Sequence, residues 1–198
     1  MNSLQKTRMK AVFKYSWPFY ILSAVVISFA FYFIFGMSKK LPGYKKLTLF
    51  VSGEVKDSKK LNDDLLEKYQ EKELKSFTSI SANPDDPTYN RKLEVTGLNG
   101  SDVLIIPTSI ADILVADNFA LEIKDELVTY YSGCTFYEQD GGKYGVKLDK
   151  EKVKDYMNLP SEECYLFLNG KSENLGEYSK SQIKEHDLAL CLVKDWGM

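Results

Sequence analysis

Thiol and imidazole groups are scarce in this 198-residue chain: Cys134, Cys164 and Cys191 are its cysteines and His186 its one histidine. An odd count leaves at least one thiol unpaired. A Cys134–Cys164 disulfide is compatible with the sequence, but Cys164 and Cys191 each stand inside an apolar run and read as small buried hydrophobes. There is no C-x-x-C pair, so a metal site is not expected. Gly-rich phosphate loops and G-x-S-x-G elbows are missing too, and no pair of carboxylates stands at a spacing that suggests acid–base work. These residues point away from catalysis and toward binding. The clearest binding signal is the run from Asp102 to Asp112, where four apolar residues, Val103 to Ile106, end at Pro107, and Ser109 and Asp112 follow in the spacing of a capping box. A strand, a tight turn and a helix start are expected there. In open α/β sheets ligands sit at that corner, beyond the carboxyl end of a strand.

Other segments must position this corner. Leu47–Val51 is a β-rich apolar run closed by Ser52-Gly53, and Phe77–Ser81 is a second, stopped by Asn83-Pro84-Asp85-Asp86-Pro87, where two prolines end the ladder. Between them Leu61, Leu65, Leu66 and Tyr69 recur at helical spacing, with Asp57 or Ser58 suited to cap the start. A brief helical segment is expected over residues 86–95. Further on, a strand near 142–148, a short helix over 149–157, a strand at 163–169 and a helix at 188–196 follow. In the last, Leu188, Cys191, Leu192 and Trp196 form an apolar stripe. A continuous apolar strand such as 103–106 is buried on both faces, as a parallel sheet requires.

Before all this comes a different kind of segment. Tyr15–Ser38 holds 24 residues without a charge; as a helix it reaches about 36 Å, enough to cross a hydrocarbon core of about 30 Å. Trp17 and Tyr20 near one end suit an interface. The small-x-small triplet inside the apolar run, Ser28-Phe29-Ala30, is followed by more apolar residues, Phe31 to Phe35, rather than a polar mature start, so the helix reads as a retained anchor and not a cleaved signal. Basic residues flank both ends (Lys6, Arg8, Lys10 and Lys14 before, Lys39, Lys40, Lys45 and Lys46 after), so charge alone does not orient it. A short leading segment is easily retained, which favours an external C-terminal region. The expected organisation is a cytosolic basic segment 1–14, a transmembrane helix 15–38, a basic linker 39–46 and an extracellular domain 47–198.

Residues 1–46 carry eight Lys or Arg and no acid, which leaves 18 basic and 28 acidic residues for 47–198, a net of −10. Such a domain is a poor partner for nucleic acid, which needs clustered Lys and Arg. Its length suffices for one hydrophobic core.

The order of four segments carries a family resemblance. Leu47–Gly53, Asp102–Ser109, Ala120–Leu127 and Gly142–Leu148 resemble the first lobe of ABC-importer solute-binding proteins of the type 2 periplasmic-binding fold, and Tyr165–Lys171 is similar to a later strand and turn. Members have two lobes that close on ligand; this chain has length for about one, with the second lobe missing. The fold the resemblance implies is one three-layer α/β lobe with a mostly parallel sheet, behind the transmembrane helix. It implies ligand-facing positions at Ser52, Gly53 and Glu54 after the first strand, Asp85 and Asp86 after the second, and Thr108 and Ser109 after the third. Tyr130, Tyr131 and Tyr137 offer rings that could stack on a sugar or pack in the core.

The function expected is a non-enzymatic, cofactor-free binding or interaction domain, single-pass in the cell membrane with its C-terminal domain extracellular. Its partners would be the bilayer through residues 15–38, a small polar solute, and a membrane transporter or a second copy of the chain. The alternatives are an assembly protein with a degenerate site and, less well supported, a cell-surface enzyme.

Overall fold

The computed structural model describes residues 3–38, 41–180, 184 and 186–198. The chain forms two compact units, Met1–Leu41 and Pro42–Met198. The first is a single helix, α1 (Ser3–Ser38). It starts well before the expected span and continues through Pro18, whose missing N–H leaves one carbonyl without its helical donor. Within it Lys14–Phe33 is long and apolar enough to cross a membrane, with a mean hydropathy of 1.6 and none of it buried. Lys39 and Lys40, which open the expected basic linker, lie outside the described residues, as do Met1 and Asn2.

The second unit runs β1 (Lys46–Ser52), β2 (Glu54–Val55), α2 (Ser58–Lys68), β3 (Ser76–Ala82), α3 (Tyr89–Lys92) with a π-helical extension Leu93–Leu98, β4 (Val103–Pro107), α4 (Thr108–Ala116), α5 (Asp125–Tyr130), β5 (Phe136–Gln139), β6 (Gly142–Lys147), α6 (Lys150–Val153), β7 (Met157–Asn158), β8 (Cys164–Leu168) and α7 (Leu188–Trp196). Six strands form one sheet in the order β3-β1-β4-β8-β6-β5, and β2 pairs with β7 in a separate ribbon. Pairing is parallel for β3-β1-β4 and antiparallel from β4 through β8, β6 and β5. Four strands thus point one way, and only β8 and β5 are reversed. The mixed α/β character and mostly co-directed sheet agree with the sequence reading; the reversal of β8 was not foreseen, because an apolar run such as Cys164–Leu168 is equally at home in either direction.

Strand alternation divides the core in two. Leu47, Leu49 and Val51 of β1, Val103 and Ile105 of β4, and Leu166 and Leu168 of β8 face one layer, where they meet Leu61 and Leu65 of α2, Leu127 of α5 and nearly all of α7. Phe50, Leu104, Ile106, Tyr165 and Phe167 face the other and meet Tyr89 of α3, Leu93, Leu98, and Ala111, Leu114 and Val115 of α4. All five residues of β4 and of β8 are buried. Each fully buried Leu, Val or Phe contributes about 1.5–3 kcal/mol relative to exposure. The crossover from β1 to β3 uses α2 on one face; the return over β1 to β4 uses α3 on the other. Opposite movements on opposite faces have the same hand, as crossover chirality demands.

Asp57 caps α2 as its spacing suggested, its side chain accepting from the Lys60 amide. Cys134, Cys164 and Cys191 are all free thiols, the last two buried, so no Cys134–Cys164 bridge forms. Burial pushes the Cys164 thiol up to about 11.

Candidate functional site

Between β1 and β4 the chain parts company with itself: β1 leads to α2 on one face and β4 into α4 on the other. The divergence opens a crevice beyond the carboxyl ends of the parallel strands, the place where ligands sit in open α/β sheets. Three of the expected contact residues lie there but are already engaged. Ser52 is fully buried, and its Oγ lies 2.5 Å from the Tyr89 hydroxyl. Thr108 donates from its amide and its Oγ1 to the Glu163 carbonyl at 3.0 and 3.1 Å. Ser109 donates from its amide and its Oγ to the two oxygens of Glu162 at 3.0 and 2.9 Å.

The capping box expected from Ser109 and Asp112 does not form. The helix starts at Thr108, two residues before the start that a Ser109 cap implies, with Pro107 as a cap that offers no side-chain acceptor. Ser109 therefore lies inside the first turn, and its orphan amide is met by Glu162 from another loop, a carboxylate at the positive end of the helix. Asp112 instead accepts from the Tyr137 hydroxyl. Burial and that carboxylate together raise the phenol to about 12. The Glu162 loop is itself stapled by Lys150, whose ammonium donates to the carbonyls of Pro160 and Glu162 at 2.5 Å and of Ser161 at 3.2 Å.

What stays open is a neighbouring cleft of about 300 Å³, lined by Gly53, Glu54, Asn83, Pro84, Asp85, Asn158, Leu159, Pro160 and Glu162. It joins three of the expected residues, Gly53, Glu54 and Asp85. Gly53 sits at φ 152°, and a Cβ there would strike the Asn158 carbonyl, so only glycine lets the ribbon of β2 and β7 close against the end of β1. Asp85 and Asp86 have separate fates. Asp86 accepts from the amide and hydroxyl of Thr88, both at 2.8 Å, and from Lys92 at 3.1 Å. Those contacts, the Thr88 amide first, hold its carboxyl at about 2. It is a turn residue. The Asp85 amide donates to Asn83 Oδ1, and the residue is exposed in the lining of the cleft.

Tyr130 is not part of this site. It lies on α5 against α7, with its hydroxyl 3.7 Å from Cys191 Sγ, the Lys194 ammonium 4.0 Å from its ring centre, and Tyr131 edge-on at 5.1 Å. Tyr131 is buried and donates to the Leu190 carbonyl at 3.2 Å. These rings pack the α5–α7 layer, and the hollow of about 340 Å³ beside Tyr130 shares no residue with the cleft. Asn158, Leu159, Pro160 and Glu162 were not anticipated; Pro160, standing between a short helix and a strand, was the loop signal available.

Comparisons with family models, curated proteins and solved structures found no match.

A second polar constellation lies at the opposite, amino end of the parallel strands. Asp102 is half-buried and accepts from the Thr48 amide at 2.7 Å, from Ser172 Oγ at 2.5 Å and from Asn174 Nδ2 at 3.2 Å. Asn169 Nδ2 donates to the carbonyls of Leu98 and Ser101, and Asn174 Nδ2 to that of Lys46. Burial raises the Asp102 carboxyl above its usual value, and the three donors only partly oppose this. The side chains tie the segment after β8 to the starts of β1 and β4. Among the described residues no group of three or more His, Cys, Asp or Glu is placed to hold a metal ion.

Proposed function

We propose that this chain is a membrane-anchored binding and interaction domain, non-catalytic, built on one lobe related to ABC-importer solute-binding proteins and displayed outside the cell. The cleft formed by Gly53, Glu54, Asp85 and Glu162 would be its working surface, taking a polar segment of a membrane partner or a small polar solute. The observation that carries the reading is the state of the crevice. Its hydroxyls, Ser52, Thr108 and Ser109, are bound by the protein's own Tyr89 and by the loop 162–163. An enclosing second lobe would find these groups already satisfied. The remaining cleft is open, and its lining holds neither Ser, Cys, His nor Lys, which favours recognition over chemistry.

The anchor supports the same reading. Tyr15, Trp17, Phe19, Tyr20, Ile21 and Leu22 are all more than half exposed. A helix with such a surface is stable in lipid, where its backbone is satisfied internally, and prone to aggregate in water. The crease of about 530 Å³ along it, between Ile21 and Tyr32, is a gap between side chains of one helix and not a ligand site.

The test is a thermal-shift series on the whole chain in detergent with sugars, amino acids and acidic and basic peptides. Binding to the folded state raises the melting temperature, by about 2.7 kcal/mol of added stability at a hundredfold excess over Kd. A shift that is lost in Asp85→Asn and Glu54→Gln but kept in Tyr130→Phe supports the cleft. A shift lost in Tyr130→Phe and kept in the cleft variants would overturn it.

A further inference from the structure

The sheet has two edges, and they are built differently. At one end β5 is four residues long, carries Glu138, contains a register shift between Tyr137 and Glu138, and turns back through Asp140-Gly141. Short length, a charge and a bulge are the devices by which proteins protect an edge from pairing. At the other end β3 has none of them. It runs seven residues, Ser76-Phe77-Thr78-Ser79-Ile80-Ser81-Ala82, in unbroken register with β1, without a charge, a proline or a bulge.

The backbone of β3 says which groups are open. Gly53 donates to the Ala82 carbonyl, so Ala82 and, by alternation, Ile80, Thr78 and Ser76 turn their polar groups toward β1. Phe77, Ser79 and Ser81 turn theirs to the open edge. Thr78 and Ser81 are exposed and Ser79 and Ile80 half-buried, so nothing large shields the row.

We infer that β3 is a pairing edge for a second copy of this chain, joined antiparallel about a twofold axis through Ser79. Outward residues must meet outward residues, and one register does this over the whole strand: Ser79 opposite Ser79, and Phe77 opposite Ser81 at each side. In an antiparallel ladder each such pair exchanges two N–H···O bonds, and the intervening Thr78 and Ile80 face each other as a β-branched pair. An isologous contact of this kind closes on itself. Charge favours this direction as well. Lys75, one residue before the strand and exposed, comes to the Asn83–Asp85 loop of the other copy at both ends, whereas a parallel pairing would bring Lys75 to Lys75. The second copy would thus add a basic group beside an acidic cleft rim. The pairing uses no hydrogen bond of the cleft and holds whether or not the cleft takes a ligand.

Disulfide trapping in the full-length chain, in a Cys134→Ser background, tests it. Hydrogen-bonded antiparallel partners have Cα atoms about 5.5 Å apart, inside the range a disulfide spans, while residues offset by two positions are about 7–8 Å apart and outside it. Ser79→Cys should give a covalent dimer on mild oxidation and Thr78→Cys at least tenfold less. Ser79→Lys, which sets like charges opposite each other, should reduce the dimer fraction in sedimentation severalfold with its circular dichroism unchanged. Glu54→Gln in the Ser79→Cys chain should leave the cross-link in place, which separates this pairing from the binding reading. A chain that stays monomeric with Ser79→Cys, or that cross-links equally through Thr78→Cys, would overturn the inference.

Discussion

The two ends of the parallel strands make an instructive pair. At the amino end, Asp102 gathers three donors in a half-buried site and joins the starts of two strands to the segment after β8. At the carboxyl end Ser52 is buried against Tyr89, but Thr108 and Ser109 are exposed, satisfied by one loop, and flanked by an open cleft. The richer network ties strand starts to a distant segment; the sparser one leaves an open cleft beside it. A dense, desolvated set of polar groups is costly to disturb, because each member depends on the others. An exposed cap is cheap to replace and free to change.

Substitutions should separate the two ends by size of effect. The largest belongs to Asp102→Ala, which strands three donors at about 1–3 kcal/mol each and should cost at least about 3 kcal/mol in urea denaturation. A loss below 1 kcal/mol would mean that water replaces the carboxylate and that the site is not a staple. The pH dependence sharpens the point. Asp102 holds its proton more readily folded than unfolded, so its contribution is fullest below the ordinary aspartate value and is lost as pH rises through its raised native value. The stability of the wild type relative to Asp102→Asn, in which other carboxylates cancel, should therefore grow as pH falls through that window. Growth in the opposite direction would contradict the burial.

Ser52→Ala should follow, at about 1–2 kcal/mol, since the buried Tyr89 hydroxyl loses its partner. Tyr89→Phe should cost a similar amount, and the double variant less than the sum. Additive losses would show that the two hydroxyls do not interact. Smallest is Glu162→Gln, which keeps the shape of the cap and removes its charge. It should cost less than about 1 kcal/mol, and less again at high salt. A larger loss would make the carboxyl-end loop part of the core after all.

Much of the scaffold could be read before folding, for a reason that these ends also illustrate. β1, β3, β4 and α7 announce themselves through apolar runs and periodicity, because burial on two faces or along a stripe leaves a local mark. Leu188–Trp196 emerged with the bounds expected of it. β6 was expected near 142–148, but its hairpin partner β5 was not, although Asp140-Gly141, both at positive φ, is a strong turn signal. The site was less legible. Glu162 meets Ser109 across 53 positions of sequence, and Tyr89 meets Ser52 across 37; such partners leave no spacing to detect. Hydroxyls at strand ends looked available because the loop that consumes them is distant in the chain. Gly53, Glu54 and Asp85 did converge, since strand ends in one sheet are neighbours by construction.

The account rests on a tethered domain that shows its cleft to the outside. Its most direct test is labelling of Asp85→Cys, in a Cys134→Ser background whose remaining thiols are buried, with a membrane-impermeant maleimide on intact cells. The account predicts labelling without permeabilisation, to the level reached after lysis. Labelling only after the membrane has been opened would contradict it.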